Sequence, residues 1–594
     1  MKNLFIIGGA SLDTLHFAGR SAQAAGGAGM YTAAAAHQMG ATVTMFAPRP
    51  DPIPVSLHPL QERIDWIGPT IHPDDLPRFE IVHDEDGTTV MENAFFGEEI
   101  LMDASSLPQD LSSFDIVHLT PIGSTRHQLE FLMACRSRGA RRISAGTFPC
   151  MAQNETEVMR KVFNAADLFF MNEVEANYLF ESVEEAFTEP GKLLFITLGG
   201  RGVWVVQGTD RTYLPAVEVD ALDPTGAGDT FCGATLAGLT QGMHPIMAAR
   251  RALSVAAHMI TKVGPTALWA KAPEERTDSR VRINDDRVAR IVDLVGSLTE
   301  VKPFDFVRPE YPPVGHPAAV DFFFASTLQQ FGFWVASEGR YQAPMIAQLG
   351  GHEAKGSDYL WRAYLRKLDS GRYDFYSPQI QAKLTREDMI MVFRGDDGSD
   401  PMPALDLHLA QAHAYGRDML ALNLKPAEIV EAANVAAHPR RTFLEKLDSI
   451  GGYKDDPLRK KSALLAMILA QRPERFLHLG VDDAGPPIID YHLMRSCLRI
   501  GLLDILDESL EGKLRERELV QADEEWAVRL AAYRAVTQVT EKSGKSMGAV
   551  DWFFFNARQR CPEMMEPECA SCPVDPVCSH RKELFQPVFR TTFY

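Results

Sequence analysis

Short apolar runs alternate with longer segments of helical periodicity over the first 270 residues of the chain. Strands are predicted at Asn3–Gly8, Thr42–Ala47, Ile116–Leu119, Arg142–Ala145, Leu168–Met171, Leu194–Leu198 and Val203–Gln207. Strands that alternate with helices indicate an α/β domain with a mainly parallel sheet flanked by helices. The segment Arg78–Glu92, with Asp84–Gly87 at its turn, alternates between polar and apolar positions and predicts an antiparallel hairpin.

The pattern changes beyond residue 271, where charged residues and prolines replace the apolar runs. We predict a linker with one helix over 273–315, between a first domain of residues 1–272 and a second domain of residues 316–594. The second domain is predicted to be all-α. Its helical patterns are Ala318–Phe331, Tyr359–Leu368, Leu405–Leu420, Ile429–Ala436, Leu458–Ala470, Tyr491–Ile500 and Glu525–Thr537.

Length and charge narrow the class of protein. A chain of 594 residues is longer than one hydrophobic core usually supports, which agrees with several domains. The net charge of -19 disfavours duplex nucleic acid as a partner, because phosphate contacts need a basic surface. No secretion signal opens the sequence and no apolar run reaches membrane-spanning length. We therefore expect a cytoplasmic protein without a membrane partner, whose eight cysteines are reduced or bind metal.

The segment Leu222–Phe231 carries the clearest chemistry of the first domain. Gly226, Ala227 and Gly228 have little or no side chain, so their N–H groups at the start of an alanine-rich helix are predicted to form an anion hole. Asp229 follows, where a carboxylate can take the proton of an attacking hydroxyl while the amides neutralise a transferred phosphoryl group. An ordinary tight turn is the alternative for Gly-x-Gly before a helix.

The string Pro-Thr-Gly-Ala-Gly-Asp at 224–229 resembles the second signature of PfkB or ribokinase-like kinases. Gly26 and Gly27, before the helix Met30–Met39, resemble part of the first signature, in which glycines let substrate hydroxyls approach the backbone. Asp13 stands where the family uses a carboxylate to hold two sugar hydroxyls, although an aspartate after a strand also caps helices. Tyr31 replaces the family's usual asparagine and suggests an aromatic lining of the substrate site.

Two further segments match this family in the same order along the chain. Asn172 and Glu175 resemble the pair that places magnesium and phosphate through water, and without the family they would read as a solvated helix start. Thr197, Gly199 and Gly202 resemble the strand and turn that lie beside ATP, where an ordinary hairpin turn is the alternative. The resemblance implies phosphoryl transfer from ATP, with Mg²⁺, to a primary hydroxyl of a sugar or nucleoside, and it makes the predicted hairpin a lid.

Four cysteines lie close together near the end of the chain. Cys561, Cys569, Cys572 and Cys578 are separated by seven, two and five residues. In a reduced compartment such spacing favours metal binding, and both zinc and a 4Fe-4S cluster accept four thiolates. The spacing resembles the iron-sulfur loop of helix-hairpin-helix DNA glycosylases, which implies a structural 4Fe-4S cluster, with zinc as the alternative. The hairpin glycines of those enzymes are missing before Pro487, which again disfavours duplex DNA.

The segment of about 316–505 resembles the queuosine salvage proteins, which are queuosine 5′-phosphate N-glycosylases. The similarity rests on His316-Pro317, Gln330–Trp334, Gly356–Leu360, Thr385–Asp388, Asp400–Pro403, Arg459–Ala463 and Asp490-Tyr491. It implies that Asp490 is the catalytic carboxylate and that Lys460 is a basic companion near the phosphate or ribose. Phe333 and Trp334 would stack on the deazaguanine base, unless they are core residues. That family normally lacks the cysteine cluster.

Together these resemblances predict a bifunctional enzyme that phosphorylates a nucleoside and then hydrolyses the 5′-phosphate to free base. Two alternatives stay open: a sugar kinase with a non-catalytic second module, and a kinase fused to a nucleic-acid glycosylase. The expected partner is a small nucleoside or sugar, and the sequence leaves a homodimer open.

Overall fold

Two units make up the chain, unit 1 over Met1–Arg276 and unit 2 over Thr277–Tyr594. The structure is a computed structural model that describes residues 3–17, 20–83, 89–97, 102–274, 277–299, 303–480 and 485–594. The predicted turn Asp84–Gly87 lies outside the described residues. None of the helices in the described ranges is both long and apolar enough to cross a membrane.

Unit 1 alternates strands with helices. Its strands are β1 (Asn3–Ile7), β2 (Ser11–Phe17), β3 (Arg20–Gly26), β4 (Thr42–Phe46), β5 (Arg49–Pro50), β6 (Asp65–Ile67), β7 (Thr70–Ile71), β8 (Arg78–His83), β9 (Thr89–Phe95), β10 (Ile116–Leu119), β11 (Ile143–Gly146), β12 (Leu168–Asn172), β13 (Leu193–Thr197), β14 (Gly202–Gln207) and β15 (Asp210–Pro215). Its helices are α1 (Ala28–Gln38), α2 (His58–Gln61), α3 (Thr125–Ser137), α4 (Pro149–Asn154), α5 (Thr156–Ala165), α6 (Glu173–Leu179), α7 (Ala227–Thr240) and α8 (Pro245–Met259).

The main sheet of unit 1 has the strand order β15-β14-β13-β12-β11-β10-β1-β4-β6. Its strands from β13 to β6 are parallel, and β14 and β15 add an antiparallel edge. Leu4 and Ile6 of β1 pack in one core while Phe5 and Ile7 pack in another, so both faces of the sheet are covered. This confirms the predicted α/β class with a mainly parallel sheet.

A second sheet in unit 1 has the order β3-β2-β8-β9. The antiparallel pairing of β8 with β9 confirms the predicted hairpin, although a hairpin of β2 and β3 extends it. The same two strands carry Asp13 and lead through Gly26 into α1, so this sheet adjoins the predicted substrate residues.

Close packing of α1 on α7 brings distant parts of unit 1 together. A Cβ added to Gly233 of α7 would lie 2.1 Å from the carbonyl oxygen of Thr32 in α1, so only glycine permits this approach. The Thr32 hydroxyl donates to the Asp229 carbonyl oxygen at 3.3 Å. The two helix starts, which carry Tyr31 and Asp229, are thereby held side by side.

Unit 2 is mostly helical. Its helices are α9 (Asp285–Ser297), α10 (Ala319–Thr327), α11 (Gly356–Asp369), α12 (Pro378–Gln381), α13 (Arg386–Phe393), α14 (Leu405–Ala421), α15 (Pro426–Asn434), α16 (Pro439–Leu447), α17 (Lys460–Gln471), α18 (Tyr491–Ile500), α19 (Glu508–Glu516), α20 (Ala522–Ser543) and α21 (Met547–Gln559). Its strands are β16 (Val281–Ile283), β17 (Trp334–Ser337), β18 (Arg340–Pro344), β19 (Ile346–Leu349), β20 (His352–Lys355) and β21 (Leu503–Ile505).

Two expectations for unit 2 differ from the structure. The unit is not all-α, because β17–β18 and β19–β20 form hairpins and β16 pairs with β21. Glycines with positive φ at Gly339, Gly350 and Gly351 supply the hairpin turns, which a search for helical periodicity passes over. The interval 273–315 is not only a linker with a helix, since the pairing of β16 with β21 makes residues from Thr277 onward part of unit 2.

Candidate active sites

The start of α7 carries the residues of the predicted anion hole in unit 1. Gly226 caps the helix with a φ of 75°, and a Cβ there would lie 2.4 Å from the ring of Tyr31. Within the described residues, the amides of Gly226 and Gly228 donate no hydrogen bond, and no atom lies within 4 Å of a Cβ built on Gly228. The amide of Ala227 differs, because it donates to the Pro224 carbonyl at 3.1 Å. Two of the three predicted amides are therefore open to an anion, and the helix end adds its dipole.

Asp229 lies in the first turn of α7 and is partly exposed. Burial of its carboxyl raises the pKa to about 6, and a hydrogen bond from its own amide opposes this rise. The carboxylate is therefore ionised near neutral pH but is a better proton acceptor than an ordinary aspartate. Its position at an open helix start, rather than in a closed apolar interior, fits the predicted role as a general base.

Asp223 is a residue of this turn to which sequence reasoning gave no role. Its side chain is fully buried and accepts from the amides of Thr225 at 3.0 Å and Gly264 at 2.7 Å. It thereby ties the start of the turn to a distant loop. An aspartate two residues before a threonine in a glycine-rich turn is the signal that could have identified it.

Asp13 lies inside β2, so it does not cap a helix. The residue is 3% exposed, and its Oδ1 has no hydrogen-bond partner among the described residues. Burial raises the pKa of this carboxyl to about 6. A Cβ added to Gly26 would lie 1.8 Å from Asp13 Oδ2, so the glycine makes room for the carboxylate. A buried carboxylate oxygen without a partner fits a site for ligand hydroxyls.

Tyr31 lies close to three aspartates of the candidate site. Burial, followed by the negative charges of Asp223, Asp13 and Asp229, holds the pKa of its hydroxyl well above the usual value, so all three carboxylates lie near it. The ring itself is 1% exposed and packs on Gly226. Tyr31 therefore supports the anion-binding turn from below, rather than providing the exposed aromatic lining that the sequence suggested.

Gly27 shapes the start of α1 beneath this site. Its φ is 97°, and a Cβ there would lie 2.6 Å from the carbonyl oxygen of Gly9. The glycine therefore lets the backbone of α1 approach the turn after β1. The predicted approach of substrate hydroxyls to the backbone at this glycine stays a prediction.

Asn172 and Glu175 meet at the start of α6 in a capping box. The Glu175 carboxylate accepts from the Asn172 backbone amide at 2.7 Å and from Asn172 Nδ2 at 2.8 Å. Burial raises the pKa of Glu175 to about 8, and the charge of Asp229 contributes. Glu175 is 4% exposed, so this helix start is not a solvated one, and Glu175 lies within electrostatic reach of Asp229. The role of the pair in placing magnesium stays a prediction.

Thr197 ends β13 directly beside Asn172, with which it pairs in the parallel register. Gly199 has a φ of 59° and open space around it. Gly202 has a structural role, since its φ is 126° and a Cβ would lie 2.0 Å from the Leu214 carbonyl oxygen in β15. These residues lie at the carboxyl ends of the parallel strands, which is where α/β sheets bind ligands.

Unit 2 contains a cavity of about 400 Å³ that includes most of its predicted site residues. Lys460, Asp490 and Phe333 line the cavity, whereas Trp334 does not. Trp334 is the first residue of β17, and its side chain packs against Arg590 rather than lining the cavity. The guanidinium carbon of Arg590 lies 3.9 Å from the centre of the Trp334 ring. The expected stacking role is therefore limited to Phe333.

Asp490 caps α18, where its carboxylate accepts from the Leu493 amide at 2.8 Å. Burial alone would raise the pKa of Asp490, but the charges of His492, Arg558 and Lys460 lower it below its ordinary value. The helix-cap interpretation is therefore correct, and the catalytic role of Asp490 stays a prediction. The residue is an ionised carboxylate at the wall of a cavity.

Lys460 is buried at 6% exposure, so it is not a solvated helix charge. Its Nζ donates to the Gln330 carbonyl at 2.9 Å, and its backbone amide donates to Asp456 at 2.7 Å. Arg529 holds Asp456 with two hydrogen bonds of 2.8 and 2.7 Å. Burial lowers the pKa of Lys460 to about 8, against the attraction of Asp490.

A ladder of aromatic rings in the same cavity was not predicted from the sequence. Trp552 stacks between Phe304 and Phe555, with ring centres 4.6 and 4.9 Å apart and both planes tilted by 13°. The guanidinium carbon of Arg308 lies 4.6 Å from the centre of the Phe304 ring. All four residues line the cavity, which gives it an apolar wall for a flat ring system.

The four clustered cysteines line one small cavity at the end of unit 2, with no disulfide among them. Within the described part of the chain, the only three metal-binding atoms that all lie within 4.8 Å of one another belong to Cys569, Asp575 and His580. A tetrahedral zinc site would hold its sulfurs about 3.8 Å apart. The four sulfurs are thus spread more widely than around one zinc ion.

Comparisons with known proteins found a matching family model, several relatives and several similar structures. Residues 100–272 match the model described as pfkB family carbohydrate kinase. The chain is 28% identical over 277 residues to a cytidine kinase of Thermococcus kodakarensis, which covers 44% of this chain and 98% of that protein. It is 36% identical over 117 residues to a ribokinase of Lactococcus lactis, covering 19% of this chain and 39% of that protein. A probable sugar kinase from Rhizobium etli superposes with a TM-score of 0.40 at 17% identity, covering 45% and 96% of the two chains.

Proposed function

We propose that the chain is a bifunctional nucleoside salvage enzyme, which is supported by the match of residues 100–272 to the pfkB family carbohydrate kinase model. Unit 1 phosphorylates the 5′-hydroxyl of a nucleoside with ATP, and unit 2 hydrolyses the N-glycosidic bond of the product to release free base. The nucleoside is queuosine or a related deazaguanine nucleoside. The proposal rests chiefly on the fact that one site could make the substrate of the other. Asp229 beside open helix amides suits the formation of a nucleoside 5′-phosphate, and Asp490 beside Lys460 suits the hydrolysis of that product.

Asp229 performs the proton transfer of the first reaction. Its carboxylate takes the proton of the 5′-hydroxyl, whose oxygen attacks the γ-phosphorus of ATP while the bond to the departing ADP oxygen breaks. The open amides of Gly226 and Gly228 neutralise the charge on the phosphoryl oxygens. Asp13, with its unpartnered Oδ1, accepts from ribose hydroxyls and fixes the nucleoside.

Asn172 and Glu175 would help to place Mg²⁺ and the phosphates through water, because carboxylate and amide oxygens are the donors that a hard cation prefers. Glu175 and Asn172 hydrogen-bond each other at 2.8 Å, and burial raises the pKa of Glu175 to about 8, so direct binding of the ion would have to break this pair. When bound, the ion would offset the negative charge of ATP.

A nucleoside acceptor is supported by the similarity to a cytidine kinase, which extends over 98% of that protein. The second reaction supports the same class of acceptor, since the proposed glycosidase needs a nucleoside 5′-phosphate. Tethering the two units raises the concentration of this intermediate at the second site to about the mM range for a short linker.

Asp490 carries the second reaction. As the C1′–N bond breaks, positive charge develops on the ribose, and an ionised carboxylate at the cavity wall stabilises it. Lys460 lies in electrostatic contact with Asp490 and serves the phosphate or ribose. Phe333 and the Trp552 ladder offer apolar surfaces to the flat base.

The cysteine loop is proposed to hold a structural 4Fe-4S cluster. Four reduced cysteines around one cavity, spread more widely than around a zinc ion, support this assignment. Iron and acid-labile sulfide should each be found at about four per chain. Stoichiometric zinc in their place would assign the loop to zinc.

A coupled assay tests the bifunctional proposal. Full-length protein with queuosine, ATP and Mg²⁺ should release base, and release should stop when ATP is omitted. Asp229→Asn should abolish release from queuosine but not from queuosine 5′-phosphate. Asp490→Asn should abolish base release from both queuosine and queuosine 5′-phosphate, while ADP still forms from queuosine and ATP.

The two variants separate the rival functions. Base release that is equally fast without ATP would reject the sequential scheme. An Asp490→Asn protein with every activity intact would make unit 2 a non-catalytic module.

A further inference from the structure

The cavity of unit 2 is lined by the carboxyl groups of Asp358, Asp551 and Glu563 as well as Asp490. Asp551 is the one whose pKa is raised by the charge of Asp490. Asp551 belongs to α21 and lines the cavity together with Asp490 and Lys460. Among the described residues, no hydrogen bond or ion pair engages its side chain. A cavity-facing carboxyl without a protein partner is available to a ligand.

The electrostatic surroundings of the two carboxyls differ. Burial and the negative charge of Asp490 raise the pKa of Asp551 to about 7, against the attraction of Arg558 and Lys460. The pKa of Asp490 is lowered instead, so one carboxyl of the pair is protonated and the other ionised near neutral pH. Two neighbouring carboxyls with divergent pKa values are the arrangement that assigns an acid and a base to one site.

The helix places Asp551 on the side of the cavity that would receive the base. Asp551, Phe555 and Arg558 follow one another at helical spacings of four and three residues, and all three line the cavity. Trp552, the next residue along the helix, stacks between Phe304 and Phe555. The acid and the aromatic wall therefore belong to the same structural element.

We propose, on the premise that unit 2 hydrolyses a nucleoside 5′-phosphate, that Asp551 is the general acid that protonates the leaving base. The C1′–N bond breaks with its electron pair passing to the base, and a ring nitrogen takes the Asp551 proton. Water adds to C1′ and gives a proton to Asp490. Transfer of that proton from Asp490 to Asp551 restores both carboxyls, so the sum is nucleotide plus water giving ribose 5-phosphate plus base.

The choice of leaving group tests this role. Queuosine 5′-phosphate has a leaving base that needs a proton, whereas 4-nitrophenyl riboside 5-phosphate has a phenolate that leaves without one. In the full-length protein, Asp551→Asn should slow base release about 100-fold or more, the size of a general-acid contribution. The same variant should slow nitrophenol release less than about tenfold. Asp490→Asn is the matched control and should slow both substrates alike.

The pH profile provides a second readout. Base release by the unmodified protein should fall as the pH rises through about 7, because Asp551 then loses its proton. The charged groups that face Asp551 are Asp490, Lys460 and Arg558, of which Lys460 titrates higher, at about 8. With the nitrophenyl substrate, whose phenolate leaves without a proton, the unmodified protein should show no step near 7, and a step of equal size with both substrates would contradict the role of Asp551.

The outcomes separate this inference from the function on which it rests. If Asp551→Asn slows both substrates equally, or neither, Asp551 is not the general acid although unit 2 is a glycosidase. If the unmodified protein hydrolyses neither substrate, the glycosidase function and the assignment of Asp551 both fail.

Discussion

Gly226 is the position at which folding and phosphoryl transfer depend on the same atoms. Gly226→Ala would force an L-residue into the left-handed conformation, with φ at 75°, at a cost of about 1–2 kcal/mol. The new methyl would also lie 2.4 Å from the Tyr31 ring, which is 1% exposed and has no room to move away. Overpacking of this kind costs about 1–3 kcal/mol. The free energy of unfolding should therefore fall by about 2–5 kcal/mol.

The same change should damage catalysis beyond its effect on stability. Relief of the clash has to displace the turn that carries the Gly226 and Gly228 amides, and a shift of about 1 Å in catalytic groups costs about 100-fold in rate. We expect kcat/KM for ADP formation with a nucleoside acceptor to fall by about that factor at a temperature where the variant is still folded. Chemical denaturation gives the change in stability.

Gly228→Ala is the matched control. No atom lies within 4 Å of a Cβ at this position and the residue is helical, so the free energy of unfolding should be unchanged or up to about 1 kcal/mol higher. Equal stability of the two alanine variants would refute the idea that a methyl at Gly226 clashes with the Tyr31 ring.

Three further predictions follow from the two sites. Asp13→Asn should lower kcat/KM for the acceptor by about 10- to 150-fold, as expected for hydrogen bonds to a charged group, with the KM for ATP unchanged in the same initial-rate assay. The kinase rate should rise with pH through about 6 and then level off, because Asp229 must be unprotonated; a rate that falls over this range would exclude it as the base. Asp456→Asn should lower the free energy of unfolding of unit 2 by about 3–5 kcal/mol, measured with denaturant, since Arg529 is fully buried and would lose its ionic partner. A decrease of less than about 1 kcal/mol would contradict this prediction.

The parts of the structure that follow from neighbouring residues were predictable. The strands of the parallel sheet are continuous apolar runs because both faces of the sheet are covered, and such runs are visible in one dimension. The anion hole is likewise local, since Gly226, Gly228 and Asp229 lie within four residues. By contrast, the strand β2 was missed, because it mixes polar and apolar residues without a continuous apolar run, and its pairing with β8 joins segments that are distant in the sequence.

The parts that arise from tertiary packing were not predictable. Tyr31 looked like a substrate contact, but the approach of α1 to α7 buries it under Gly226. Trp334 was grouped with Phe333, yet alternation along a strand turns the two side chains to opposite sides. Asp551 carried no motif at all, although its spacing from Phe555 and Arg558 on a helix was a usable signal.

Burial acts on the proposed catalytic carboxyls of both units, but neighbouring groups decide its result. At Asp229 burial dominates, and the raised pKa leaves an ionised group that accepts a proton readily. At Asp490 the basic groups His492, Arg558 and Lys460 overcome the same effect and lower the pKa, so the carboxylate stays ionised. That ionised neighbour then helps keep Asp551 protonated. Burial, modified by the neighbouring charges, therefore favours a base in one unit and an acid in the other. Replacing one positive neighbour by a negative one, as in Lys460→Glu, should raise the pKa of Asp490 and so remove its negative charge near neutral pH.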